Sequence, residues 1–287
     1  MSHPLRIGAK LVPQGTSIAA LRAFWRLADE SGFDHLWVYD HLAGAGNAAI
    51  ATPEPAVDVF DGWTLLAAMA SETRHARLGC MVTANSFRHP GVLAKIATTV
   101  DHLSHGRLEF GIGTGWGEYE HTMFALPLEP PRERIEKLDE ALRVITALWS
   151  PQVHSTFHGN HYHLTEAVHS PKPFQQPRPP IWLGGTGEKR MLKLVAEHAD
   201  VWNTVDKAGP QEGARLSGVL DRWCADVGRD PHQIRRSVQL KPDTKRVAAS
   251  ITPWLEAGFT EIILFIAPNQ PLTDLEQIAE QLPALRS

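Results

Sequence analysis

Cysteine is nearly absent: Cys80 and Cys224 are the only two in 287 residues. A disulfide framework is excluded by count, and nothing in the spacing argues for a lone bridge. Long apolar runs are missing as well. No window approaches the roughly 18 uncharged apolar residues that a spanning helix needs. The opening segment, Met1-Ser2-His3-Pro4-Leu5-Arg6, has no apolar signal core. Basic blocks are also lacking. The 28 Lys and Arg are outnumbered by 32 Asp and Glu, for a net charge of −4, so no phosphate-backbone footprint is expected and a nucleic-acid partner is excluded. The expectation is a soluble, cytoplasmic chain acting on small molecules, without internal repeats or low-complexity tails.

What the chain does have is a rhythm of short apolar runs and amphipathic stretches. Strands are expected at Leu5–Val12, His35–Tyr39, Arg77–Thr83, Arg107–Ile112, Pro180–Leu183, Asp200–Asn203, Ser237–Lys241 and Thr260–Ile266. Each precedes a stretch with helical periodicity, from Ile18–Ser31 to Asp274–Leu282. Strands alternating with helices of about 10–15 residues argue for a parallel sheet. Eight such units point to closure into a (β/α)₈ TIM barrel, a fold that takes about 250 residues. Strands six and seven are the weakest, and losing either would return an open Rossmann-like sheet. Residues 150–179 are too long for an ordinary connection and read as an insertion between strands four and five. Within them Thr156–His163 suggests a hairpin turning at Gly159-Asn160. The expected organisation is one domain, residues 1–287.

In a barrel, residues just past the strands' carboxyl ends face the active site. Asp40-His41 follows strand two, and a histidine beside a carboxylate suits acid–base work or a hydrogen bond to a cofactor. The plainer reading is a turn cap with a buried histidine. Gly111-Ile112-Gly113-Thr114-Gly115-Trp116-Gly117 follows strand four. A dinucleotide fingerprint would need glycine at position 116 and an immediate helix, so that reading fails. Alternate glycines such as Gly113 and Gly115 would let a flat ring approach the backbone, with Trp116 as a wall; a tight turn is the alternative. Gly184-Gly185-Thr186-Gly187 precedes a helix expected from Glu188, which suits a phosphate. Thr186 could instead simply cap that helix. The histidines of the insertion, His154, His158, His161, His163 and His169, match no zinc spacing and read as solvated surface groups. No metal is expected.

These segments, taken in order, resemble the F420-dependent branch of the luciferase-like family. The carriers are Trp37-Val38-Tyr39-Asp40-His41, then Leu78–Thr83 with Phe87-Arg88-His89-Pro90, then Thr99–Arg107 leading into Gly111–Trp116, and Pro179–Gly187 matched by Ala199–Asn203. They span most of residues 5–205. The resemblance implies a barrel, often a homodimer, holding an isoalloxazine-type ring in its mouth. It places Asp40 and His41 beside that ring, a non-proline cis peptide at Cys80–Met81 behind it, and the cofactor phosphate on Gly184–Gly187. Sugar-phosphate dehydrogenases of this family carry a catalytic glutamate where this chain has Trp116, so a sugar phosphate is not expected as substrate. His41 is left to move the proton. Coenzyme F420 is the expected cofactor and hydride transfer the expected reaction. FMN-dependent oxygenation and a non-catalytic flavin-binding barrel are the rivals. A metal-dependent hydrolase would need ligands on several strand ends, and only Asp40-His41 offers them.

Overall fold

The structure, a computed structural model, describes residues 3–44, 57–207, 209–266 and 271–286. Met1 and Ser2 of the opening segment therefore lie outside it. Eight parallel strands form a closed ring. They are β1 (Arg6–Leu11), β2 (His35–Val38), β3 (Arg77–Cys80), β5 (Leu108–Gly113), β8 (Ile181–Gly184), β9 (Val201–Val205), β10 (Arg235–Leu240) and β11 (Glu261–Ile266). Each pairs with the next, and β11 pairs back onto β1. A two-residue strand, β4 (Thr83–Ala84), continues along β5 after β3 breaks. Around the ring run α1 (Ile18–Glu30), α2 (Gly62–Glu72), α3 (Pro90–Leu103), α5 (Pro131–Trp149), α6 (Met191–His198), α7 (Gly209–Asp226), α8 (Val247–Glu256) and α9 (Pro271–Ala279).

Side chains alternate across each strand, and this sorts the core into two shells. Ile7, Ala9, Leu36, Val38, Leu78, Cys80, Phe110, Ile112, Leu183, Trp202 and Val238 point outward into the layer under the helices. Trp37, Met81, Trp182, Val201 and Ile263 fill the barrel. Gly111 keeps two strands in register there. A Cβ added to it would sit 2.0 Å from the Cys80 carbonyl oxygen, and backbone cannot yield as a side-chain tip can. Gly111→Ala is expected to cost about 1–3 kcal/mol through overpacking; a denaturation midpoint equal to wild type would refute the packing role.

Both weak strands are present. Strand seven looked weak because its inward row, Arg235, Ser237 and Gln239, is polar, while Val238 and Leu240 face outward. It begins at Arg235, two residues before the sequence pattern suggests. The Arg235 guanidinium is drawn inside by Glu261 at 2.5 Å and lies 3.7 Å from Glu109.

The insertion carries the hairpin β6 (His154–His158) and β7 (His163–Val168), closed by a Gly159 N–H to Tyr162 carbonyl bond of 3.0 Å. Glu140 on α5 is buried beneath the turn and accepts the backbone N–H groups of Asn160, His161 and Tyr162. His154, His158 and His163 are exposed, as expected. His169 corrects the reading of a solvated set. It is 3% exposed, its Nε2 lies 2.9 Å from Thr98 Oγ1, and burial pushes its pKa down to about 4.

Two further departures bear on the site. The cis peptide is Met81–Val82, one residue beyond the expected bond. The helix after β8 starts at Met191, because Glu188–Arg190 form a turn first. A short extra helix, α4 (Glu118–Met123), follows the strand-four glycines. Among the described residues no helix is long and apolar enough to cross a membrane.

Candidate active site

A cavity of about 390 Å³ opens at the carboxyl ends of the strands, within the usual range for small-molecule sites. Lys10 of β1, Tyr39, Asp40 and His41 after β2, and Met81 and Val82 at the break in β3 form one side. Gly113, Thr114, Gly115, Trp116 and Glu120 form the next. Gly184, Gly185 and Thr186, with Ala84, Phe87, Asn203, Thr204, Val205 and Gln239, complete it. The cavity thus gathers nine of the expected site residues: His41, Asp40, Met81, Gly113, Gly115, Trp116, Gly184, Gly185 and Thr186. Two stay off its wall. Cys80 is fully buried and faces the outer shell, because strand alternation that turns Met81 inward turns its neighbour outward. Gly187 lies one step past the lining, on the exposed turn.

His41 is held from one side. Its Nδ1 lies 2.9 Å from Glu120 Oε1, and Glu120 Oε2 accepts the Leu42 N–H at 2.9 Å. With Glu120 Oε1 as the acceptor, Nδ1 carries the proton of this bond and Nε2 is left as the second ring nitrogen. The ring sits edge-on to Tyr39 and Trp116, at centroid distances of 4.7 and 5.7 Å. Trp116 is 53% exposed, in contrast to the core tryptophans Trp37, Trp182 and Trp202. Burial raises the Tyr39 phenol, whose OH donates to Gln14 at 2.6 Å, so Tyr39 is a neutral wall of the site.

Asp40 lines the cavity, but its carboxylate is occupied. It accepts from Thr83 Oγ1 and from both terminal nitrogens of Arg88, which also reaches Asp61 at 2.7 Å. Trp63 Nε1 donates to the same Thr83 hydroxyl at 3.2 Å. Asp40 therefore ties the end of β2 to β4 and to the segment leading into α3.

The glycines after β5 are required by packing as well as by access. A Cβ at Gly113 would meet Val82 at 2.9 Å, and Gly115 has φ +79° with Ser86 Oγ 2.7 Å from where its Cβ would sit. His121 braces this turn, its Nδ1 2.6 Å from Gly117 O and its Nε2 2.7 Å from Ser86 Oγ. The Gly185 N–H donates to Asn203 O, and its carbonyl accepts from Trp202 Nε1. Thr186 does not cap α6, which has no side-chain cap and begins five residues later.

Sequence patterns left Lys10, Glu120 and Gln239 unassigned. Glu120 carried a signal, an acid in the first turn after glycines, but its partner is 79 positions away. Lys10 lies within an apolar run and reads as an exception to it. Among the described residues, Asp139, Glu197 and His198 are the one place where three metal-ligating groups converge, and they are engaged by one another, Arg143 and Lys193.

A sequence model of the family described as luciferase-like monooxygenase matches residues 1–258. The chain belongs to that family. This luciferase-like chain is 28% identical over 297 residues to an F420-dependent glucose-6-phosphate dehydrogenase of Microbacterium testaceum, covering 100% of this chain and 83% of that protein. Its fold matches an F420-dependent secondary alcohol dehydrogenase bound to an F420–acetone adduct, with a TM-score of 0.85 at 18% identity and coverage of 99% and 100%. It also matches a monooxygenase from Streptomyces bottropensis, with a TM-score of 0.79 at 19% identity and the same coverage. The family places this luciferase-like chain among oxidoreductases.

Proposed function

We propose that the chain is an F420-dependent oxidoreductase that moves a hydride between the coenzyme and a small organic substrate. The observation that carries this reading is the His41–Glu120 pair at the wall of a glycine-lined cavity. A relative aligned over the whole of this chain and named for F420 supports the cofactor. The residues present fit such a group. Gly184 has open space where a Cβ would stand, with only Asn203 O at 3.9 Å. Gly113 and Gly115 bring bare backbone to the cavity wall, and Gly184–Thr186 would take the phosphate. When bound, F420 supplies the ring carbon that gives or accepts the hydride.

The protein's own share is orientation and proton movement. Glu120 holds Nδ1–H, so Nε2 is the atom that gives or takes the substrate proton. Met81, Val82 and Trp116 wall off water. Asp40 keeps the β2 end fixed through Arg88. Trp116, standing where the resemblance gives sugar-phosphate dehydrogenases a glutamate, makes the substrate side less polar and turns the proposal away from sugar phosphates.

FMN-dependent oxygenation is the second reading, favoured by the fold match to a monooxygenase and by a pocket shape that suits either ring. Parallel titrations separate the two. F420 is expected to bind with Kd of about 1 μM or below and FMN at least roughly tenfold more weakly. The reverse order would transfer the protein to the oxygenase reading, with oxygen consumption as the next assay. Failure of both rings would remove the basis of either. A cytoplasmic homodimer of single-barrel subunits belongs to the same proposal, and light scattering on the purified protein reads its mass.

A further inference from the structure

Several charges buried in this barrel have a partner of opposite sign, and the buried carboxylates Asp29, Asp101 and Glu140 accept backbone or amide N–H groups instead. Asp40 meets Arg88, Glu109 meets Arg77, and Arg236 meets Asp221. Lys10 is different. It is 7% exposed, on the inward row of β1, and its Nζ donates to two neutral acceptors: the Met81 carbonyl at 3.0 Å and Gln239 Oε1 at 2.9 Å. Among the described residues no carboxylate lies in ion-pair range of it. A buried charge without a counter-ion is costly, and an ammonium has three donors, of which these bonds use two. Lys10, Met81 and Gln239 all line the cavity, so the ammonium is held at its wall from two strands.

We propose that Lys10 is the counter-charge for an anionic, electron-rich edge of the bound ring. The inference rests on the cofactor reading above and assigns one residue its electrostatic part. Burial lowers the Lys10 pKa to about 8, which leaves the group charged at neutral pH. Two charges could meet it. One arrives with the hydride: an alcohol carbon that gives up a hydride also gives up its O–H proton. His41 would take that proton, and a bound ring that received the hydride with both its electrons would carry one more negative charge. The other is a hydroxyl of the oxidised ring ionised to a phenolate. In either case Lys10 distinguishes the redox forms, because it favours whichever carries the charge at its edge.

The test is equilibrium binding of oxidised and reduced F420 to wild type, Lys10→Met and Lys10→Gln, with the midpoint potential of the bound coenzyme. Lys10→Gln removes the charge while keeping an N–H donor on a slightly shorter side chain. Both variants are expected to lose on the order of ten- to hundredfold affinity for one redox form, with the other form nearly unchanged. Selective loss of the reduced form, with a potential about 30 mV lower per tenfold, assigns the hydride-borne charge. Selective loss of the oxidised form assigns the phenolate. Equal losses for both forms, or none, would overturn the proposal. If neither variant folds, the wild type decides alone, since a bound potential equal to that of free F420 excludes any redox preference. If wild type binds FMN and not F420, the cofactor reading fails, and the same differential measured with FMN still tests Lys10.

Discussion

Replacing His41 by asparagine is expected to lower kcat by about 10²–10⁴ while the coenzyme still binds, because a positioned acid–base group contributes on that scale. Asparagine roughly preserves the volume beside Tyr39 and Trp116 and can still donate to Glu120. It has no nitrogen that can take a proton from substrate. The loss should therefore fall on kcat, with coenzyme affinity within about threefold of wild type. Glu120→Gln should fall between the two. The amide oxygen can still accept from Leu42, but a neutral partner no longer favours the Nδ1–H orientation, and a loss on the order of tenfold follows from misorienting the ring. The assay is single-turnover oxidation or reduction of F420 against a panel of unsaturated and carbonyl compounds. Unchanged turnover in His41→Asn would sink the acid–base role, whereas no turnover by wild type on any compound would favour a barrel that binds its ring without catalysis.

Much of the barrel was legible because its outward rows are apolar. Ile7, Leu36, Leu78, Phe110, Leu183, Trp202, Val238 and Ile262 make each strand visible as a hydrophobic run followed by a helix. The inward rows are where the pattern misleads. Arg235, Ser237 and Gln239 disguise β10, and Lys10 interrupts β1, because their polar heads find partners across the barrel that no local window contains. Register is the second limit. Cys80 and Met81 were both expected at the ring; alternation allows only one of them inside, and the break at Met81–Val82 moves the turn by a residue. The strand-end rule was enough to bring Asp40-His41 and Gly184–Thr186 to the cavity wall. It could not find Glu120, whose approach to His41 depends on α4, a six-residue helix too short to show periodicity. The start of α6 was misplaced for a related reason: the glycines that mark the turn say nothing of how many residues follow before the helix closes.

Beneath the cavity, His35 and Glu261 should give two variants with opposite pH dependence of stability. Both side chains are almost wholly buried, with His35 Nε2 3.6 Å from Glu261 Oε2. Burial pushes Glu261 up from 4.5 to about 7. Burial, reinforced by Arg235, Arg6 and Arg77, holds His35 well below 6.5. In the unfolded chain between pH 4.5 and 6.5 the histidine carries the proton; in the folded chain the carboxyl does. The number of bound protons is the same in both states, so this pair leaves stability flat across that window. Removing one member unmasks the other. His35→Asn leaves Glu261, whose raised pKa means stability fully present below pH 4.5 and lost as pH rises through about 7, a fall of about 3 kcal/mol at 1.36 kcal/mol per unit. Glu261→Gln leaves His35, whose lowered pKa means stability present above pH 6.5 and lost as pH falls below it, at up to about 1.4 kcal/mol per unit. Chemical denaturation of wild type and both variants across this range should give one nearly level profile and two that cross. Parallel profiles for all three would mean that folding moves no proton between these groups, and that the charged layer under the site is held by its arginines alone.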